Sequence, residues 1–184
     1  MSRATFANYE LEALIGRGGM AEVYRAKAMK GALEGRTVAL KRLLPALAQN
    51  PLYVDLFTGE ADITRLLKHP AIVEVLETGV VGETYYIAME YVEGKNLRQV
   101  LSQCVARSIL LPIDFGAYVA HVIAQALEYA HGALNAAGQP LGIVHRDVTP
   151  SNVFISRDGE IKLGDFGVAQ ADVTGGGLPE EGPF

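Results

Sequence analysis

Three polar side chains towards the end of the chain could support the transfer of a phosphoryl group. Asp147 is followed closely by Asn152, and Asp165 comes a short stretch later. Phosphoryl transfer needs a carboxylate beside the incoming hydroxyl and oxygen ligands for Mg²⁺ on the nucleotide phosphates. These side chains supply both kinds of group, although each alone could also be a helix cap or a turn residue. The pattern indicates this chemistry only if other parts of the chain agree with it.

A glycine-rich segment lies between two predicted strands near the start of the chain. It consists of Ile15, Gly16, Arg17, Gly18, Gly19, Met20, Ala21, Glu22 and Val23. Glycines at such a turn let backbone N–H groups approach an anion with no side chain in the way. A dinucleotide-binding fold would need a helix directly after the glycines, and the strand that follows here excludes it. The segment is either a phosphate-binding loop or an ordinary hairpin turn.

Lys41 ends an apolar strand, a position that on its own is typical of a solvated strand tip. Glu60 changes this interpretation, because it lies on the helix predicted to follow that strand. A glutamate that reaches from a helix to a strand lysine can hold the ammonium against phosphate oxygens. Lys41 and Glu60 are therefore a candidate pair.

The composition fits one folded domain, or one domain and part of another, and argues against other classes. Of 184 residues, 49% are hydrophobic, which is enough to fill a core. A net charge of −5 without a basic cluster argues against nucleic-acid binding. The single cysteine, Cys104, excludes an internal disulfide. Because no apolar run could span a bilayer and no signal peptide is recognisable, we expect a cytoplasmic chain, although a longer parent could carry an anchor.

Short runs of alternating apolar and polar residues, broken by glycines, dominate the first half. They predict strands at 9–15, 23–28, 37–43, 72–77 and 85–91. Between the third and fourth runs, apolar residues recur at three- and four-residue steps, which predicts a helix over 51–68 that His69-Pro70 ends. The stripe on this helix consists of Val54, Phe57, Ala61, Thr64 and Leu67 or Lys68.

The second half is mainly helical. A short helix is predicted over 97–106, and a longer one begins at Asp114 as its N-cap and runs to 134. One face of the longer helix carries Phe115, Val119, Val122, Ala126, Tyr129 and Ala133. A small hairpin at 153–155 and 161–163 follows a loop at 135–142, and the last ten residues are predicted to be mobile. Five antiparallel strands, one helix packed on them and a helical region give an α+β fold class.

These residues and motifs resemble those of protein kinases along essentially the whole chain. They look most like bacterial Ser/Thr kinases with the glycine-rich sequence GRGGMAEVY. The glycine loop, the strand lysine, the helix glutamate, His145-Arg146-Asp147 with Asn152, and Asp165-Phe166-Gly167 follow the family's order and separations. The resemblance implies an N-lobe at 1–92, with a five-stranded antiparallel sheet and the αC helix. A partial, mainly helical C-lobe at 93–172 and a flexible start of the activation segment at 173–184 would follow.

Carried over position by position, the resemblance implies a site for ATP. The residues expected around the nucleotide are Ile15, Gly16, Arg17, Gly18, Gly19, Met20, Ala21, Val23, Ala39, Lys41, Met89 (the gatekeeper position), Glu90, Val92 and Phe154. Val23 and Ala39 would enclose the adenine ring, and Phe154 would close its site from below. The backbone of Glu90 and Val92 would hydrogen-bond the ring.

The same resemblance implies roles in catalysis. Lys41, held by Glu60, would contact the α- and β-phosphates, while Asn152 and Asp165 would hold Mg²⁺. Asp147 would orient the substrate hydroxyl and accept its proton. The implied partner is a protein with a Ser or Thr hydroxyl, and the resemblance also allows a dimer of kinase domains.

The chain departs from the family pattern in three places. Ala21 replaces the third loop glycine, and Thr149 replaces the catalytic lysine that usually neutralises the γ-phosphate in Ser/Thr kinases. No APE motif follows Asp165-Phe166-Gly167, so we expect an N-terminal fragment of the domain. In such a fragment the 114–134 helix and the 144–154 segment would expose apolar area.

Two other functions remain open at this point. Thr149 and the missing part of the C-lobe favour a pseudokinase or truncated nucleotide-binding module that signals by contact. The third possibility is a small-molecule kinase, because such enzymes have a similar arrangement of Asp-Asn and Asp. The Gly16 to Val23 loop, Arg146 and Asp165-Phe166-Gly167 of this chain match protein kinases better. Thr174 lies where activation-loop phosphorylation would occur.

Overall fold

Two sheets and three helices build the computed structural model, which describes residues 4–166. The strands are β1 (Thr5–Phe6), β2 (Tyr9–Arg17), β3 (Ala21–Ala28), β4 (Thr37–Leu43), β5 (Val75–Val81), β6 (Thr84–Glu90), β7 (Gly94–Asn96), β8 (Val153–Ser156) and β9 (Ile161–Leu163). The helices are α1 (Pro51–Leu66), α2 (Leu97–Ala106) and α3 (Ile113–His131), and a 3₁₀ turn covers Pro45–Leu47. Gly167, Thr174 and the predicted mobile end of the chain lie outside the described residues.

The large sheet contains the five predicted strands and one more. Its order is β1-β2-β3-β4-β6-β5, and every neighbouring pair is antiparallel. The additional strand, β1, has only two residues and pairs with the start of β2. Strand β5 begins at Val75 instead of the predicted residue 72. The reason is that this segment pairs with the small sheet instead. Ile72 forms a bridge with Leu163, and the Val73 N–H donates to the Leu163 carbonyl at 2.9 Å.

Helix α1 packs one face against the large sheet. Asn50 caps its N-terminus by accepting the N–H of Leu52 at 3.1 Å, and proline at the first turn suits this position. The buried residues follow the predicted spacing: Phe57, Glu60, Ala61 and Thr64. The helix ends at Leu66, two residues earlier than predicted, because Leu67 leaves the helical conformation and is buried. This packing brings the polar side chain of Glu60 into the protein interior.

Helix α3 supplies the core of the second half. Its buried residues are Val119, Ile123, Ala126 and Ala130, so Val119 and Ala126 of the predicted stripe are confirmed. The predicted N-cap is wrong: Pro112 occupies that position and Asp114 lies in the first turn, where a carboxylate favours the positive end of the helix. The helix ends at His131 with Gly132 as its C-cap, before the predicted residue 134.

Helix α3 and the 144–154 segment expose apolar side chains, as expected. The exposed fraction is 90% for Ile113, 54% for Tyr118, 46% for Val144 and 47% for Val148. Within residues 4–166, no helix combines the length and apolar character that a membrane crossing requires.

The small sheet connects the segment after β6 to the strands that follow Asn152. Strand β7 pairs with β8, and α2 follows directly with a reciprocal cap in which Asn96 accepts from Gln99 N–H and Gln99 accepts from Asn96 N–H. Gly94 lies so close to β8 that a Cβ atom would stand 1.9 Å from the carbonyl oxygen of Ile155. A side chain at this position would push the two strands apart.

We expect Gly94→Ala to destabilise the protein by about 1–3 kcal/mol, the usual cost of inserting a carbon into a filled space. Gly116→Ala is the matched control, because nothing lies within 4 Å of its Cβ position on α3. The control should gain up to about 1 kcal/mol through helix propensity. Urea denaturation measures both free energies of unfolding. Equal stability of the two variants would contradict the close approach of β7 to β8.

Candidate active site

Lys41 lies between two carboxylates that come from different parts of the fold. Its Nζ is 2.6 and 2.8 Å from the two carboxylate oxygens of Glu60 on α1. The same Nζ is 3.0 Å from Oδ1 of Asp165, which follows β9. The side chains of Lys41 and Glu60 are 11% and 5% exposed, whereas that of Asp165 is 37% exposed. The large sheet, α1 and the end of the small sheet therefore converge on one ammonium group.

The charges around Lys41 determine its protonation. Burial alone would lower the pKa of Lys41, but the charges of Asp165 and Glu60 outweigh this effect and raise its pKa. For Glu60, burial raises the pKa of the carboxyl, and the Lys41 ammonium opposes that shift. Lys41 is therefore a cation at neutral pH, flanked by more negative than positive charge.

Asp147 and Asn152 form a compact pair in the loop before β8. The Asn152 amide nitrogen donates to the Asp147 backbone oxygen at 2.9 Å and to its carboxylate at 2.8 Å. Asn152 is buried and Asp147 is exposed, so the amide orients a carboxylate that faces the surface. The Asn152 carbonyl in turn accepts the N–H of Gly164 at 2.9 Å, which joins this loop to the residue preceding Asp165.

His145 anchors the loop from inside the core. Its Nε2 lies 3.0 Å from the Gly164 carbonyl, and its Nδ1 lies 3.2 Å from the backbone N–H of Asp147. A neutral ring protonated on Nε2 satisfies both contacts, since it donates to the carbonyl and accepts from the N–H. Burial lowers the pKa of His145, which agrees with a neutral ring. The imidazole packs against Phe166 with 4.5 Å between ring centroids.

Two site residues have an unusual backbone conformation. Arg146 has φ of 61° and Asp165 has φ of 55°, in the left-handed region that non-glycine residues seldom adopt. Such conformations persist where the surroundings hold them, and they cluster at functional sites. Here Asp165 is held by Lys41 on one side and by the fully buried Phe166 on the other.

The donor set near Asp165 suits Mg²⁺ bound together with phosphates. Asp165 supplies a carboxylate and Asn152 an amide oxygen, both hard ligands that Mg²⁺ prefers. Among residues 4–166, no group of three or more His, Cys, Asp or Glu side chains could hold a metal by itself. Mg²⁺ usually binds through one or two carboxylates and completes its shell with waters and substrate phosphates. The residues present fit that mode of binding.

The glycine-rich segment forms the β2–β3 hairpin. Its turn closes with the N–H of Gly18 donating to the Ala21 carbonyl at 2.9 Å. A Cβ at Gly19 would meet nothing within 4 Å, and one at Gly18 would only touch Ala21, so the space over the turn is open. Gly16 on β2 pairs with Val23 on β3 just before the turn, and the side chain of Ile15 next to it is exposed.

Ala21 explains why the missing third glycine is tolerated. Its side chain is 4% exposed and packs into the core cluster with Leu43 and Phe57. The methyl group therefore points into the protein interior and leaves the open side of the turn unobstructed. Met20 packs against the same cluster.

The residues expected around an adenine ring have a similar degree of burial. They are half-buried, which fits the lining of an open cleft: Val23, Ala39, Met89, Val92 and Phe154. Ala39 and Met89 are direct partners on β4 and β6. Gly164 makes room for Phe154, because a Cβ there would stand 2.8 Å from the Phe154 ring.

Glu90 makes a contact that the sequence did not indicate. Its carboxylate accepts from Lys162 on β9 at 2.8 and 3.0 Å, and its backbone N–H donates to Glu74 at 2.8 Å. The ion pair connects the end of β6 to the strand that leads into Asp165. A lysine on a three-residue strand carries no signal that could identify a partner so far away in sequence.

Thr149 is half-buried, and its backbone carbonyl accepts the N–H of Asn152 at 3.0 Å. This bond closes the turn between Asp147 and Asn152. The turn uses only the backbone at this position, so it does not depend on which side chain residue 149 carries.

Comparison with known proteins agrees with this geometry. The family profile described as "Protein kinase domain" matches residues 9–177. The chain is 38% identical over 167 residues to the tyrosine-protein kinase MasK of Myxococcus xanthus, covering 91% of this chain and 26% of that protein. It is 43% identical over 174 residues to the probable serine/threonine-protein kinase SCO3848 of Streptomyces coelicolor, covering 89% and 23%.

A solved structure shares the fold. The kinase domain of Mycobacterium tuberculosis PknI superposes with a TM-score of 0.71 and 33% identity, covering 92% of this chain and 64% of that domain. The chain spans about a quarter of the length of the two curated relatives named above. Because the profile match includes nearly all of the sequence and the fold agrees with it, the chain belongs to the protein kinase domain family.

Proposed function

We propose that this chain binds ATP with Mg²⁺ and carries groups that transfer the γ-phosphate to Ser or Thr hydroxyls of proteins. The observation that carries the proposal is the contact of Lys41 with both Glu60 and Asp165. It supports the view that three distant parts of the chain form one site. Family membership and the names of the relatives point to the same class of reaction.

Lys41 is the group we assign to the α- and β-phosphates. Glu60 fixes its ammonium through two short contacts, so the cation is in place before a phosphate arrives. The open turn at Gly18 and Gly19 leaves room for backbone N–H groups to approach the phosphate chain. The remaining residues around the nucleotide are assigned as the family resemblance implies.

Asp147 is the proposed acceptor of the substrate proton. The hydroxyl oxygen attacks the γ-phosphorus, its proton passes to the Asp147 carboxylate, and ADP is the leaving group. The amide of Asn152 orients this carboxylate at 2.8 Å, and the exposure of Asp147 leaves space for the hydroxyl. Catalysis of this kind depends mainly on positioning and charge neutralisation.

Asn152 and Asp165 are the side chains that would hold Mg²⁺. The ion, when bound, neutralises negative charge on the phosphates. Asp165 already faces one cation, Lys41, and its partial exposure leaves its carboxylate accessible to a second.

The proposed division of the chain into an N-lobe at 1–92 and a partial C-lobe at 93–172 rests on its hydrophobic clusters. Two clusters flank the large sheet, one around Leu40 and the other between Leu43 of the sheet and Phe57 of α1. A third surrounds α3 with Leu163 and Phe166, and it also includes Leu67 and Ile72 from the first part of the chain. We also propose that this part of the protein works in the cytoplasm.

Asp147→Asn should lower phosphate incorporation by roughly 10²- to 10⁴-fold, the contribution expected of a general base. Nucleotide affinity should stay close to that of the wild type, because Asp147 is assigned to the hydroxyl and not to the phosphates. Radiolabelled ATP with myelin basic protein measures incorporation by the whole protein, and phosphoamino-acid analysis separates Ser/Thr from Tyr.

Asp158→Asn is the control, an exposed carboxylate in the β8–β9 turn. It should leave the rate unchanged. If the wild type bound ATP but transferred no phosphate, a nucleotide-binding module without turnover would replace the proposed enzyme. Incorporation that survives in Asp147→Asn would show that another group accepts the proton.

Asp165→Asn should remove the Mg²⁺ dependence of nucleotide binding. Mutation of a residue that only supports a metal ligand typically lowers metal affinity by roughly 10- to 100-fold. Loss of the ligand itself should lower the affinity at least as much. Lys41 keeps Glu60 as its partner, so the fold should survive. Titration of a fluorescent ATP analogue with Mg²⁺ or with EDTA measures the effect, with Asp62→Asn on the exposed face of α1 as the control. An unchanged ratio of the two affinities in Asp165→Asn would rule this carboxylate out as a ligand.

A further inference from the structure

We infer that Glu22 is a positioning residue that holds the glycine-rich turn at a fixed place relative to Lys41. The inference rests on the proposed nucleotide site and adds a residue that lies on the opposite face of the sheet. Its basis is a row of charged and aromatic side chains that joins the turn to the strand carrying Lys41.

Glu22 receives hydrogen bonds from two sides. The guanidinium of Arg17 donates to Oε1 through Nε at 3.0 Å and also through Nη2. The hydroxyl of Tyr24 donates to Oε2 at 2.7 Å. Both oxygens of the carboxylate are thus engaged, and these bonds lower the pKa of Glu22. Its side chain is 15% exposed and that of Arg17 is 69% exposed, so Glu22 is the sheltered member of the pair.

The strand register places Glu22 between two arginines. It lies directly opposite Arg17 on β2 and directly opposite Arg42 on β4. The next residue, Val23, lies opposite Gly16 and Lys41 in the same two strands. These pairs form two rows across the three strands, one through Glu22 and one through Val23. Because successive side chains of a strand point to opposite faces, the two rows lie on opposite faces of the sheet. One row contains Gly16, Val23 and Lys41 of the proposed nucleotide site. The other contains Glu22 and also Arg17, which the resemblance had placed at the nucleotide.

Arg42 extends the outer row and brings a second positive charge near Glu22. Its guanidinium lies over the Phe6 ring at 4.3 Å and over the Tyr24 ring at 5.4 Å. Its Nε is buried and makes no hydrogen bond within the described residues. Glu22 is the carboxylate opposite Arg42 in the ladder, and the same carboxylate binds Arg17. Without it, two cations would flank a neutral position.

The outer row explains how a glycine-rich turn can remain ordered. Gly18 and Gly19 have no side chains to hold the turn from inside the cleft, where open space is needed for phosphates. The outer contacts of Arg17, the last residue of β2, supply that restraint without entering the cleft. Losing them should let the turn move relative to Lys41 while the rest of the sheet stays paired.

The test compares Glu22→Gln with wild type in two measurements. Hydrogen–deuterium exchange should become faster at residues 16–21 and stay unchanged in α1 and α3. The Kd of a fluorescent ATP analogue with Mg²⁺ should rise about threefold to fivefold, the upper range for a partly exposed ion pair. In the whole protein, KM for ATP should rise while kcat is retained, which separates positioning from general loss of structure.

Glu12→Gln is the matched control, because Glu12 pairs with Arg25 at 3.2 Å on the same hairpin but away from its turn. It should change neither measurement. Arg17→Gln removes the exposed partner instead and should reproduce the faster exchange of Glu22→Gln even if that variant is poorly folded. Exchange and affinity equal to wild type in both variants would overturn the inference. A wild-type protein that bound no nucleotide would instead refute the proposed site, while the exchange comparison would still decide whether Glu22 orders the turn.

Discussion

The buried ammonium of Lys41 is the constraint on which the rest of the site depends. Removing a charged group from water costs several kcal/mol unless partners replace the lost hydration. Glu60 and Asp165 are those partners, and each is contributed by a different element, so the ammonium is well solvated only when α1 packs on the large sheet and the end of β9 approaches it. One polar group thereby links the position of a helix to that of Asp165, the carboxylate proposed to hold the metal.

Backbone contacts extend this arrangement to the loop that contains Asp147. The Gly164 N–H and carbonyl bind Asn152 and His145, so the residue before Asp165 is fixed to the loop that contains Asp147. A neutral, buried His145 and the fully buried Phe166 give the loop a hydrophobic anchor in the core around α3. The strained backbone at Asp165 is held between that anchor and Lys41. The polar groups of the site thus depend on ordinary packing a few ångströms away.

Much of this could be predicted from the sequence, and the exceptions have physical reasons. Strand β4 and helix α2 begin and end at the predicted residues. In β4 both faces are covered, since Leu40 and Leu43 pack into different hydrophobic clusters. The pairing of Lys41 with Glu60 followed from the order of motifs. Strand β1 could not be found, because two residues show no alternation. The contacts of Glu22 were also out of reach, since irregularities between Leu11 and Ala13 and between Leu14 and Gly16 shift the β2–β3 register. The ion pair of Glu90 with Lys162 depends on how the two sheets meet, which no local pattern encodes.

The most direct measurement is a crystal structure of the protein with a non-hydrolysable ATP analogue and Mn²⁺, whose anomalous scattering identifies the metal. The account predicts a metal bound directly by Asp165 and Asn152, with the triphosphate under the glycine-rich turn and in contact with Lys41 while Glu60 keeps its ion pair. A metal held by other residues, or a triphosphate that lies away from Lys41, would contradict it.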